Sequence, residues 1–257
     1  MPHEMGREMT EKTENMGRVG RRRLYLMRHG HVDYFAPGLT DFRTVPLTEE
    51  GRRQANAAGH ALAGIRFDAV FNSGLPRTIE TADLVLGENG HDVPRQIAIG
   101  EFEELRGGKV VVETREELAA RLAFSFDAAM EEGASFLPGG EAFADAYDRV
   151  QRGLEHLVGQ HAWRSALLVA HEGINRILLG HACGAGLSGI AHFEQDLACV
   201  NVLDFDVIRE ESGALRSVRT VIKAVNLTAY DPVKAELVRT SIEHMFDIDF
   251  GGARPVG

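Results

Sequence analysis

The chain has 257 residues, 44% hydrophobic and 26% charged, ordinary globular material for one large α/β domain or two small ones. A formal net charge of −10 argues against a nucleic-acid or anionic-membrane surface, which relies on clustered Lys and Arg, but leaves room for a local basic pocket around a small anion. Two cysteines, Cys183 and Cys199, are too few for a disulfide framework or a cysteine-based zinc site and read as small apolar fillers.

No apolar run reaches the roughly 18 residues of a membrane span. The first 20 residues are polar and lack the apolar stretch of a signal peptide, so the chain reads as cytoplasmic. Residues 1–20 read as a disordered arm, and Arg21-Arg22-Arg23 as a solvated entry to the first strand. Leu24–Met27 is that strand, ending in Arg28-His29-Gly30. A polar loop with Pro37, Gly38 and Pro46 follows, then Thr48 as an N-cap with Glu49 and Glu50 complementing the helix dipole. Phe67–Phe71 is a short strand leading through Asn72-Ser73-Gly74 into a helix near Pro76, a residue well tolerated in a first turn. Ile97–Ile99 is a strand, and Glu113 to about Met130 is helical, with Leu118, Leu122 and Phe126 four apart.

Pro138-Gly139-Gly140 breaks the chain before an amphipathic helix carrying Phe143, Ala146, Val150, Leu154 and Leu157. Ala166–Ala170 is an apolar strand ending in His171, and Glu172-Gly173-Ile174 opens another helix. Val200–Val207 and Val218–Val225 read as a hairpin around Glu211-Ser212-Gly213, and the tail from Tyr230 as partly helical. Strands and helices alternate without a repeat or a clear linker, which favours a single α/β domain over 21–257.

Strand ends carry the chemistry. In an open α/β sheet the C-terminal strand ends face the ligand crevice. Here two strands run into histidine (His29, His171) and a third leads to Arg77 in a helical first turn. A fourth is followed by Glu101-Phe102-Glu103-Glu104-Leu105. Arginine offers a planar fork of donors for phosphate, histidine a nucleophile or proton shuttle, and Gly30 lets backbone approach a ligand. Two arginines, two histidines and a carboxyl suit phosphoryl transfer, which depends on charge stabilisation and in-line positioning.

These residues resemble the histidine phosphatase superfamily, the phosphoglycerate-mutase-like enzymes. The resemblance is carried in order by Arg28-His29-Gly30, Pro46-Leu47-Thr48-Glu49-Glu50-Gly51, Ser73-Gly74-Leu75-Pro76-Arg77-Thr78, Glu104, Pro138-Gly139-Gly140-Glu141 and Val169-Ala170-His171-Glu172-Gly173. It implies a three-layer α/β/α sandwich with a mixed, mostly parallel central sheet and a helical insert at about 103–140 as a substrate-selecting lid. His29 would be the nucleophile, with Arg28, Arg77, Gly30 and His171 around the phosphate. Glu104, with Glu103 as the neighbouring alternative, would be the general acid. No metal or cofactor is implied. The stretch His31-Val32-Asp33-Tyr34-Phe35 departs from the family pattern, with Phe35 where an asparagine is common, as does Glu172 where a small residue is common; His31, Asp33, Tyr34 and Glu172 are candidates for the pocket mouth.

The expected reaction is hydrolysis of a small phosphorylated metabolite, with a homodimer left open and no nucleic-acid or membrane partner. A mutase on the same core is the nearer rival. His29-Gly30-His31-Val32-Asp33 also resembles the His-x-His of metal-dependent hydrolases, although Arg28 is an unfavourable neighbour for a divalent cation. A non-catalytic binding protein would be expected to have lost a core residue; Arg28, His29, Arg77 and His171 are all present.

Overall fold

Alternation along the first strand decides the layering. In the computed structural model, which describes residues 19–108 and 114–250, β1 (Gly20–Arg28) buries Leu24 and Leu26 on one face and Tyr25 and Met27 on the other. Successive side chains of a strand point to opposite faces, so a strand apolar throughout must be covered on both. β2 (Ala69–Asn72), β3 (Gln96–Ala98) and β4 (Ser165–Ala170) join β1 in parallel. β5 (Val200–Arg209) and β6 (Leu215–Leu227) form the expected hairpin and close the other edge in antiparallel pairing. The sheet order is β3-β2-β4-β1-β5-β6, mixed and mostly parallel.

Helices α1 (Glu49–Leu62) and α2 (Pro76–Gly87) cover the Tyr25 face through Ala58, Leu62, Ala82 and Val85. Helices α4 (Phe143–Gln160) and α5 (Glu172–Ala182) cover the Leu24 face through Phe143, Val150, Ile174 and Ile177. The architecture is therefore the expected α/β/α sandwich. Thr48 caps α1, its side chain accepting from Gly51 N at 3.1 Å, a contact worth on the order of 1 kcal/mol.

Several expectations need correction. Gly20 already belongs to β1, and the rest of the N-terminal arm, up to residue 18, lies outside the described residues. The arginine triplet is part of the strand. Arg22 is 1% exposed, donates to the carbonyls of Val158 and His161, and lies over the Trp163 ring. Arg21 and Arg23 pair across the sheet with Asp206 and Asp204. Cys199 is buried as a filler, but Cys183 is exposed.

The helix expected to begin at Glu113 is shorter, and Glu113 itself is outside the described residues. Thr114 caps α3 (Arg115–Ala123), and Phe124 leaves the helical conformation before a single 3-10 turn at Ser125–Ala128. The apolar spacing runs on through the break because Phe126 turns into the main core. The insert is pinched at its neck: a Cβ on Gly108 would meet Pro138 O at 1.9 Å, and Glu141 N donates to Arg106 O at 2.9 Å. The tail also has its place. Helix α6 (Ser241–Phe246) packs Ile242 and Phe246 against Ala119 and Leu122 of α3. Among the described residues no helix is long and apolar enough to cross a membrane.

Candidate active site

Parallel pairing brings four strand ends to one edge. Arg28 ends β1 beside Ala170 of β4, and His171 follows directly. Ser73 and Arg77 come from the turn after β2 and the first turn of α2, and Glu104 from the loop after β3. The His29 and His171 rings lie 5.2 Å apart, and Arg77 bridges them. Its Nε donates to His29 Nε2 and its Nη2 to His171 Nδ1, each at 3.3 Å. A third donor, Nη1, reaches Phe42 O at 3.1 Å.

The hydrogen bonds assign both tautomers. His29 Nδ1 is 2.7 Å from Gly30 O, a pure acceptor, so the proton sits on Nδ1 and Nε2 carries the lone pair. His171 accepts from Arg77 at Nδ1, so its Nε2–H donates to Ser73 Oγ at 2.8 Å. That chain continues through Thr78 Oγ1 to the Leu75 carbonyl. Burial, reinforced by the charges of Arg77 and Arg28, holds the His29 imidazole well below its ordinary pKa; burial, Arg77 and His29 do the same for His171. Two neutral imidazoles face one guanidinium.

Arg28 is 3% exposed and largely committed within the protein. Nη1 donates to Gln195 O at 2.5 Å and to Ser241 Oγ, while Nη2 lies 3.1 Å from Glu172 Oε2. Among the described residues its buried Nε has no hydrogen-bond partner.

Gly30 has a different duty from the phosphate contact expected of it. Its N–H donates to Thr81 Oγ1 at 3.1 Å and its carbonyl holds His29. A Cβ there would meet Gly51 O at 2.4 Å, and one on Gly51 would meet His31 O at 2.2 Å. The two glycines let the histidine loop lie directly on the first turn of α1.

The structure separates the two adjacent carboxyls. Glu103 pairs with Arg43 through both oxygens, at 2.6 and 2.7 Å. Glu104 turns inward against Gly173, in the first turn of α5 behind His171. Its Oε1 accepts from Leu105 N at 2.8 Å. Burial raises its pKa above the ordinary value against that hydrogen bond, with the Glu172 charge acting in the same direction as burial.

Of the pocket candidates, His31 and Tyr34 line a narrow cavity with Arg28 and His29. His31 Nδ1 is 2.8 Å from Thr48 Oγ1. Asp33 is exposed, and its carboxylate accepts from Phe35 N at 2.8 Å, closing a local turn. Glu172 is not at the mouth but beneath the site, 5% exposed and shared between Arg28 and Arg176. Burial would raise its pKa, but those two guanidinium groups hold it low. Among the described residues no group of three or more His, Cys, Asp or Glu could hold a metal ion.

Sequence reasoning assigned no role to Arg149, which fixes the loop carrying Glu104. Projecting from α4, Arg149 donates from Nη1 to Glu101 O and Glu103 O at 2.5 and 2.9 Å. Its Nε and Nη2 grip Glu141 at 2.7 and 2.6 Å. Burial would raise the Glu141 pKa, but Arg149 draws it below the ordinary value. Arg149→Met is expected to cost about 3–5 kcal/mol of stability at neutral pH, the usual range for stranding one partner of a buried pair. The depressed carboxylate stabilises the fold above its unfolded pKa and loses that contribution as pH falls through the folded value. The gap between variant and wild type should therefore narrow below the ordinary carboxylate range, as read from urea midpoints across pH. Because Arg149 positions the acid loop, kcat should fall more than KM changes.

Sheet order, layers and paired imidazoles together define an α/β enzyme of the phosphoglycerate mutase-like class. Residues 24–216 match the histidine phosphatase superfamily (branch 1), and the chain belongs to that superfamily. It is 30% identical to the adenosylcobalamin/alpha-ribazole phosphatase of Escherichia coli strain K12 over 72% of this chain and 90% of that one. It is 34% identical to a 2,3-bisphosphoglycerate-dependent phosphoglycerate mutase of Rhizobium etli over 60% of this chain and 77% of that one. Among solved structures, a putative alpha-ribazole-5'-P phosphatase from Escherichia coli strain K-12 superposes with a TM-score of 0.60 at 26% identity, covering 80% of this chain and 96% of that one. The mycobacterial glucosyl-3-phosphoglycerate phosphatase Rv2419c shares the fold, with a TM-score of 0.62 at 22% identity over 80% and 99%.

Proposed function

We propose that this protein is a cytoplasmic phosphomonoester hydrolase acting on a small phosphorylated metabolite through a phosphohistidine on His29. The observation that carries the reading is the Arg77 guanidinium set between two neutral imidazoles, one with its Nε2 lone pair directed at that cation. A phosphate entering there replaces the imidazoles as acceptor of the Arg77 donors, and the unpartnered Nε of Arg28 offers a further donor.

His29 Nε2 then forms the N–P bond in line with the departing oxygen as the P–O bond breaks. Glu104 gives its proton to that oxygen and the alcohol leaves. In the second half, a water gives a proton back to Glu104 as its oxygen bonds to phosphorus and the N–P bond breaks. Phosphate leaves, with neutral His29 and protonated Glu104 restored. The cationic side chains supply the charge stabilisation of both steps.

A panel of phosphomonoesters assayed with and without a chelator tests the reading. Phosphate release insensitive to chelation is the expected result, and loss of activity on chelation would overturn it in favour of a metal-dependent hydrolase. With 3-phosphoglycerate, isomerisation without phosphate release would instead assign the site to a mutase.

A further inference from the structure

The family match ends at residue 216, yet the chain beyond it returns to the phosphate site. Two contacts anchor the return: Tyr230 Oη donates to Leu197 O at 2.8 Å, and Lys234 Nζ pairs with Asp196 at 2.7 Å. Thr240 and Glu243 then form a reciprocal capping box that starts α6. Ser241 stands in the first turn. Its N–H donates to Glu194 Oε1 at 2.9 Å, and its Oγ accepts from Arg28 Nη1 and donates to Glu172 Oε2 at 3.3 Å. The tail thus supplies one of the three groups that hold the Arg28 guanidinium, with Gln195 O and Glu172.

The same helix walls the cavity. His244 and Met245 line it together with His31, Val32 and Tyr34, Arg28 and His29. Phe246 meets the Phe35 ring at 5.2 Å, joining α6 to the loop that follows His29. The back of α6 is buried on α3. His29 thus borders a cavity bounded by His31, Val32 and Tyr34 of the loop that follows it and by a helix that is itself fixed to the insert.

We propose that α6 is a substrate-selecting wall of the phosphate site, with Ser241 positioning Arg28 and Met245 setting the size of leaving group admitted. The proposal rests on the phosphatase reading above. Packing against an apolar side chain discriminates by tens of fold for small changes in volume. In the full-length protein, Met245→Ala should raise the kcat/KM ratio of 1-naphthyl phosphate to 4-nitrophenyl phosphate about tenfold, and Met245→Trp should lower it comparably. Opposite signs separate selection from misfolding, which would depress both esters in both variants.

Ser241→Ala should weaken inorganic phosphate binding about tenfold by calorimetry, consistent with loss of a hydrogen bond to a charged group, and Ser241→Thr should restore it. Ratios equal to wild type in both Met245 variants, or phosphate affinity unchanged in Ser241→Ala, would overturn the wall. Failure of the wild type to hydrolyse either ester, with phosphate binding still weakened in Ser241→Ala, would sink the phosphatase reading and leave the wall standing.

Discussion

His29→Ala is expected to abolish turnover, with kcat falling on the order of 10⁵-fold or more, as when other nucleophiles are removed. The same change should eliminate acid-labile phosphate on the protein after mixing with substrate. Both losses follow from one atom: Nε2, whose lone pair is set by the Nδ1–H bond to Gly30 O. Arg77 and His171 remain in contact through Nη2 and Nδ1, so the phosphate cradle survives and phosphate should still bind. That split matters. Abolished chemistry with retained phosphate affinity identifies a nucleophile, whereas equal loss of both would identify a binding residue. Acid-labile labelling that persists in the variant would sink the phosphohistidine on His29.

The sheet and most of the site were legible because their signals are local. Leu24–Met27 and Ala166–Ala170 are apolar on both faces, which only a covered strand tolerates, and the first leads through Arg28 to His29 while the second runs directly into His171. Thr48 marked one helix start by its side-chain cap and Pro76 another by its fixed φ in the first turn, and neither signal needs a distant partner. What escaped depends on contacts remote in sequence. Arg22 is buried among distant partners, the Trp163 ring and the carbonyls of Val158 and His161. Glu172 looked like a pocket residue by position, but its fate was decided by Arg28, Arg176 and Ser241. The Ser241–Arg28 contact spans 213 positions, and no periodicity or spacing encodes it. The choice between Glu103 and Glu104 was open for a similar reason. Arg43, sixty positions away, takes the first carboxylate and leaves the second facing inward.

Glu104→Gln carries the second large effect, and its size should depend on the leaving group. Protonation of a departing oxygen by a positioned acid is worth about 10²–10⁴-fold, so an alkyl phosphate should lose that much in kcat/KM. With 4-nitrophenyl phosphate the phenolate leaves without help, and the loss should be far smaller. Wild-type kcat/KM should rise with pH as His29 loses its proton, at a value held well below 6.5 by burial and the two arginines. It should fall again as Glu104 ionises, above its ordinary 4.5 because burial disfavours the carboxylate. Activity is therefore expected between these two titrations, and Glu104→Gln should remove the descending limb while keeping the ascending one. Stability gives an independent sign. A carboxyl that holds its proton more tightly in the folded chain destabilises the fold as pH rises above the unfolded pKa, until the folded value is passed. Glutamine has no such charge to bury, so the variant should be at least as resistant to urea as wild type at neutral pH. Equal losses on both esters, or a descending limb that survives the substitution, would remove Glu104 from the acid role.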